Sequence, residues 1–426
     1  NRLFNNYFLT QGCLMKLPYR GYPIALIAFL STGLSIGMSQ YAFGQFATPL
    51  QEEFGWTKTQ LNGALSLAFV SGITGPILGK AADKYGIKIV LLISLLLISS
   101  GFLLRPTISH LWQWYFYSGL VYAGFPGATH ITSGKMVSTW FPKTRGRVMG
   151  AVTSGNNFGG FTMPALAASI IAFSNWELAF IVFGSIMLFL GIFSYFIISE
   201  SLDLVESESI RTNKDLDSIS LAKKQSKLGF EFKEALRSFR FWTINLSLMI
   251  GVLTYQGILT QLTQFLEDEG MRTNLATTCL MMIAVMGVIG KITFGRASEI
   301  FSARKTLILS MFFQTIGTIV LCIDSGEILL WVGCFIYGLG FGAFGALIPL
   351  IIVEQFGMKN LGSLMGINLM LTSITMAIGP LVAGMIHDQT GSYRNAFLGI
   401  SILFILSIIL VWISKFGKGP SDLDVQ

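Results

Sequence analysis

Charge is the scarcest feature of this chain. Asp, Glu, Lys and Arg make up 12% of its 426 residues, about half the roughly 25% of an ordinary soluble domain, while apolar residues reach 52%. Those proportions exclude a water-soluble globular fold. Cysteine is sparse: Cys13, Cys279, Cys322 and Cys334 show no paired spacing, which excludes a disulfide scaffold and a thiolate metal cluster. The last three lie in apolar segments and read as small packing residues. The sequence has no metal-ligand cluster, nucleophile elbow or phosphate loop, so neither an enzyme nor a cofactor is expected. A further gap is more specific. All 22 acidic residues, from Glu52 and Glu53 through Asp388 to Asp422 and Asp424, fall in loops or near segment ends, none in the middle of an apolar segment.

What is present is long apolar sequence with 46 glycines, a mixture suited to closely packed membrane helices. Segments of about 20 apolar residues can cross a bilayer. Twelve are predicted, at 22–50, 59–81, 87–105, 111–138, 147–173, 178–199, 239–264, 274–297, 306–323, 328–355, 362–386 and 395–414. The fold class is therefore an all-α membrane protein of two six-helix bundles, 22–199 and 239–414. They are flanked by a cytoplasmic N-terminal segment 1–21, a linker 200–238 and a tail 415–426.

The formal charge of +7 would suit nucleic acid, but in a membrane chain the position of the positive residues matters more. With a cytoplasmic N-terminus, 23 of the 29 Lys and Arg fall inside and four, Lys58, Arg105, Arg272 and Arg394, outside. That asymmetry puts both termini in the cytoplasm of a plasma or bacterial inner membrane. The first apolar stretch is too long for a signal peptide and lacks a small-residue cleavage site. Met15 opens an MKLPYRGYP lead-in, so residues 1–14 read as non-native or as a mis-assigned start. The linker reads as a tether, and 227–241 has the pattern of a short amphipathic helix lying on the membrane.

The chain repeats itself. Gly79, Asp83, Gly86 and Lys88 recur in spacing and in most of their chemistry as Gly295, Glu299, Ser302 and Arg304, an offset of 216 residues (79 to 295). The same offset carries Gly146, Met149, Gly150 and Pro164 onto Gly362, Met365, Gly366 and Pro380. Duplicated membrane halves are a mark of alternating-access carriers. In each short loop, glycine permits close backbone approach and positive φ, and the carboxylate can meet a helix N-terminus or a basic side chain. Asp83 and Glu299, with Lys88, Arg145 and Arg304, are thus gating candidates, a latch in which the acids join partners such as Arg145 in one state and release them in the other. The plainer alternative is a turn with positive-inside charge.

Twelve spans with a central loop and this repeat resemble the major facilitator superfamily over nearly the whole chain. The runs YAFGQFATPLQEEFGWTKTQL (Tyr41 to Leu61), WFPKTRGRVMG (Trp140 to Gly150) and the stretch from Tyr337 through FGMKNLGSLMG to HDQTGSYRNAF resemble its monocarboxylate porter and oxalate:formate antiporter branch. In those porters an Arg in the eighth helix pairs with the substrate carboxylate. The resemblance places Lys291 on that position, with Gly287 in place of an Asp one turn earlier and Gln45 in place of a Lys found in the first helix of some animal members.

An ionisable group at membrane depth costs about 2.5–3.5 kcal/mol even on forgiving scales, which makes it a functional candidate. Three basic groups qualify: Lys291, His130 and Lys135. A buried ammonium without an acidic partner can be neutralised by an anion that comes and goes. For Lys291 the rivals are snorkelling to the inner surface or a structural hydrogen bond. Its ammonium could also shed its proton when the anion leaves. His130 can carry a proton or donate a hydrogen bond, and Lys135 is expected to snorkel to the cytoplasmic face. Tyr41, Gln45, Asn156, Asn157, Tyr255, Gln256, Tyr337 and Asn368 could complete a small cavity, or only join helices.

The function expected is secondary transport of a small organic anion, a monocarboxylate or small dicarboxylate, by alternating access, as proton symport or anion exchange. The partners are that anion, protons and the bilayer, not nucleic acid. A facilitator for drugs or sugars is the alternative, opposed by the lack of mid-span carboxylates on which cation exporters and sugar–proton symporters commonly depend. A non-transporting sensor signalling through 200–238 is another, and no docking motif in that linker supports it.

Overall fold

The computed structural model describes residues 21–198, 229–323 and 326–416. The N-terminal segment up to residue 20, linker residues 199–228 and the tail from 417 lie outside them, with Cys13. A backbone in lipid must satisfy its own N–H and C=O groups, so apolar runs of bilayer length become helices. Twelve spans result: α1 (Gly21–Phe54), α2 (Lys58–Lys84), α3 (Ile87–Leu103), α4 in two pieces (Leu111–Ala128 and His130–Trp140), α5 (Arg145–Phe173) and α6 (Trp176–Ile197), then α7 (Phe239–Asp268), α8 (Thr273–Phe301), α9 (Ala303–Leu321), α10 (Glu327–Phe356), α11 (Leu361–Thr390) and α12 (Tyr393–Ile413). Nine helices among the described residues are long and apolar enough to cross a membrane on composition alone. The spans outside that set are α4, broken at Thr129, α5, which opens on Arg145 and Arg147, and the short α9 with Arg304 and Lys305.

Helix starts are capped where the sequence supplies a short polar side chain. Thr57 and Gln60 form a capping box at α2, and Asn175, Ser238, Ser302 and Ser392 accept first-turn N–H groups of α6, α7, α9 and α12. The two copies of the repeated loop need the same unusual backbone. Gly86 sits at φ +89, and Ser302, its mate at the 216-residue offset, at φ +96, the one positive-φ residue other than glycine among those described.

Helices α1–α6 and α7–α12 form two bundles that meet along α2–α11 and α5–α8, with α4 reaching α10 and α11 and α5 reaching α10. The closest approaches gather at the end carrying the repeated loops, called here the loop end. There a methyl group on Gly79 would collide with the Gly362 carbonyl, one on Gly75 would lie 3.0 Å from the Gly366 oxygen, and one on Gly295 or Gly150 would meet the Gly146 or Lys291 carbonyl. Small residues at these crossings let backbones touch, which is how helices associate without a hydrophobic drive in lipid.

Of the helix expected over 227–241, residues 227 and 228 lie outside the described residues, and 229–241 is not one continuous helix: a short helix, Phe232–Arg237, ends at Ser238, the cap of α7. Phe230 is buried with Phe356 at 6.0 Å, its N–H donates to the Phe356 carbonyl at 3.1 Å, and Asn360 donates to the Phe230 carbonyl at 3.0 Å. Glu231 pairs with Lys359, whose hydrogen bond and charge hold that exposed carboxyl below its ordinary range. Phe230 thus packs on the last residue of α10, while Phe239 is exposed.

Candidate functional site

Lys291 is the centre of the site. It stands on α8 ten residues before Phe301, about 15 Å from the helix end at 1.5 Å per residue, and it is 8% exposed. Side chains tilt toward the N-terminus of their helix, which here points away from the loop end. The ammonium accordingly reaches inward rather than snorkelling: it donates to the Thr153 carbonyl at 3.0 Å and to Asn157 Oδ1 at 2.5 Å, both on α5 in the other bundle. Asn157 Nδ2 donates in turn to the Ala284 carbonyl of α8 at 3.1 Å. Asn156 beside it has a buried side-chain oxygen with no hydrogen-bond partner. No carboxylate pairs with Lys291 among the described residues.

A second group is aromatic. Tyr255 on α7 lies 5.4 Å from Phe341 and 5.9 Å from Phe344, and Phe341 stacks on Tyr337 at 6.2 Å, while Tyr41 of the first bundle is exposed. The Tyr337 hydroxyl is fully buried without a hydrogen-bond partner. Tyr41 ends a π-helical segment, Gly37–Tyr41, whose wide turn is closed by Ala42 N–H to the Gly37 carbonyl at 2.8 Å. Such bulges concentrate at functional sites; the sequence pointed to Tyr41 but not to the bulge.

The remaining candidates separate. His130 opens the second piece of α4, just after Thr129 breaks the helix at φ −112 and ψ −75; it is half-buried and makes no ring hydrogen bond among the described residues. Gln45 is exposed and Gln256 half-buried. Asn368 is buried and joins helices, donating to Asn245 Oδ1 at 2.9 Å between α11 and α7.

At the loop end, Asp83 is gripped from both bundles. Its Oδ1 accepts from Lys135 at 2.8 Å and from the Gly362 N–H at 3.0 Å, and its Oδ2 accepts from the Ser363 N–H and hydroxyl, each at 2.7 Å. The carboxylate therefore caps the N-terminus of α11, where the helix dipole favours negative charge. Lys135 reaches toward the loop end, as a snorkelling lysine would, and there holds Asp83 and the Ala82 carbonyl. Glu299 makes the matching contact on α5, accepting from the N–H and the Nε of Arg147, each at 2.8 Å. The expected partner Arg145 faces elsewhere, toward the Ser138 carbonyl at 3.0 Å and the Met358 sulfur at 3.2 Å. Two residues on a helix turn the side chain by about 200°, so 145 and 147 cannot both face α8. Lys88 lies over the Tyr195 ring of α6 at 4.0 Å, and the Arg304 N–H donates to Glu354 of α10 at 3.4 Å, so both contacts stay within one bundle. Glu354, which also caps Ala303, was not anticipated.

The sequence model of the Major Facilitator Superfamily matches residues 28–296 and 273–423, together nearly the whole chain. The chain belongs to the Major Facilitator Superfamily. Within that superfamily it is similar to monocarboxylate transporter 10 of Rattus norvegicus, 27% identical over 88% of this chain and 74% of the relative, and to the hexuronate transporter of Bacillus subtilis, 24% identical over 91% and 93%. Among solved superfamily structures, the proton:xylose symporter XylE superposes with a TM-score of 0.74 at 14% identity over 96% of this chain and 98% of that one. The human organic anion transporter MFSD10 gives 0.69 at 14% identity over 92% and 99%. At such identities these superpositions speak for the fold.

Proposed function

We propose that this chain is a secondary carrier of small organic carboxylates, working by alternating access with the loop end in the cytoplasm and Lys291 as the charge that receives the substrate. The observation that carries the reading is the Lys291 ammonium, buried between the bundles and held only by neutral oxygens among the described residues. An ammonium so placed is under-compensated, and a carboxylate is the acceptor it lacks. The relatives support the substrate class, since monocarboxylates and hexuronates share one carboxylate and little else. The concentration of Lys and Arg at the loop end supports the orientation. In this conformation the seams at the loop end are closed, with Asp83 and Glu299 as the latches that part when the carrier turns inward.

Uptake of labelled lactate, pyruvate, formate, oxalate and glucuronate into proteoliposomes, with and without a pH gradient, tests the reading. Wild-type protein takes up at least one of them, and Lys291→Gln, expressed at the same level, takes up none. Folded protein inert toward every carboxylate, or normal uptake by Lys291→Gln, overturns it.

A further inference from the structure

Three hydrogen bonds cross the α5–α8 seam at one place: Lys291 to the Thr153 carbonyl, Lys291 to Asn157, and Asn157 to the Ala284 carbonyl. An ammonium has only donors and a backbone carbonyl only accepts. The Asn157 amide therefore has a single workable orientation, Oδ1 on Lys291 and Nδ2 on Ala284. The other seam has no such device: at the 216-residue offset Lys291 corresponds to Gly75 and Asn157 to Ser373. That seam is closed by glycine packing and the Asp83 cap.

We infer that Asn157 is a positioning residue that seats the Lys291 ammonium in the anion-free carrier, so that an arriving substrate carboxylate is what frees α5 from α8. The inference rests on the assignment of Lys291 to the anion. Parting the empty seam strips the ammonium of two acceptors inside a low-dielectric site, which is costly. A carboxylate supplies a charged acceptor from the α8 side of the gap, Lys291 turns to it, and Asn157 keeps only its neutral bond to Ala284. The loaded carrier then reorients readily and the empty carrier slowly, so exchange of internal for external anion outruns net uptake.

Two substitutions of opposite sign test this, each on full-length protein eluting as a single folded species. Asn157→Ala removes the seat: the ratio of exchange to net uptake falls about tenfold, the equivalent of one charge-assisted hydrogen bond. Spin labels at Lys143 and Lys305, exposed at the loop end on opposite bundles, then show a separated population without any anion. Asn157→Asp gives Lys291 a permanent partner across the seam, so the labels stay close even in saturating anion and exchange falls at least tenfold. A purely structural role moves both variants the same way, and that result overturns the inference, as does an Asn157→Ala protein with wild-type ratio and label distances. If wild-type protein carries none of the five carboxylates the carrier reading fails, while the anion-free label distances still decide the seat.

Discussion

Replacing Asp83 with Asn tests the latch at its strongest point. The carboxylate is 10% exposed and accepts four hydrogen bonds, three of them from α11 in the other bundle. Asparagine keeps one acceptor oxygen and puts an NH2 group where the second must face either the Ser363 N–H or Lys135, all of them donors. Losing charge assistance at these bonds, together with the interaction with the α11 dipole, costs about 2–4 kcal/mol in the closed state. In the parted state Asp83 faces water and loses little. The closed-to-open ratio at the loop end therefore falls by about 30- to 1,000-fold. Pulsed electron resonance between labels at Lys143 and Lys305 should show the separated population dominating, and turnover in proteoliposomes should fall because the return to the closed form is slowed. The substrate contact itself is left intact, since Asp83 lies on the α2–α11 seam and Lys291 on the α5–α8 seam, so apparent affinity changes only by the fall in the closed, binding-competent fraction. Glu299→Gln should act in the same direction but more weakly, because Arg147 is 51% exposed and exposed pairs are worth about 0–1 kcal/mol. The two changes should add, as they lie on separate seams. An Asp83→Asn protein with wild-type label distances and turnover would refute the reasoning.

Gly79→Ala drives a methyl group into the Gly362 carbonyl, so the α2–α11 seam cannot close; turnover should drop at least about tenfold, the equivalent of 1.4 kcal/mol. Gly44→Ala, with open space around it, should leave turnover unchanged in the same uptake assay. Ser302→Gly removes a serine from φ +96, a conformation costing about 1–3 kcal/mol, and gives up only a long cap to the Lys305 N–H at 3.4 Å. Its melting temperature in detergent should rise by about 1–3 °C, and a fall would show that the cap outweighs the strain.

The fold was legible because its signals are one-dimensional. Apolar run length sets the helices, and a repeat at constant offset sets the bundles. The carboxylates of the latch were legible for the same reason, as Asp83 and Glu299 share a register. Their partners were not. Whether Arg145 or Arg147 meets Glu299 depends on which face of α5 meets α8, and the apolar sequence around them fits either rotation. For Lys135 the sequence shows depth and direction toward the loop end, but not that Asp83, 52 residues away, folds back to meet it there. Asn368 looked like a cavity residue because its partner Asn245 lies on another helix. Lys291 was found from its rarity, yet its direction followed only from the polarity of α8, whose N-terminus points away from the loop end.

At the loop end the two seams match residue by residue. Asp83 with Ser363 corresponds at the 216-residue offset to Glu299 with Arg147, and Gly79 with Gly362 to Gly295 with Gly146. These pairs are equivalent, as rocking of two rigid bundles about a central axis requires, because both seams must part together. One step deeper the equivalence breaks: Gly75 with Gly366 corresponds to Lys291 with Gly150. The backbones approach closely at both places, but only Lys291 adds a side chain that crosses to the other bundle. A ligand acting on one seam is sufficient, since stiff bundles cannot open one seam and keep the other shut. On the proposed assignment of Lys291 to the anion, the chain keeps symmetric seams and concentrates its dependence on the anion in a single unsymmetric residue pair, Lys291 and Asn157.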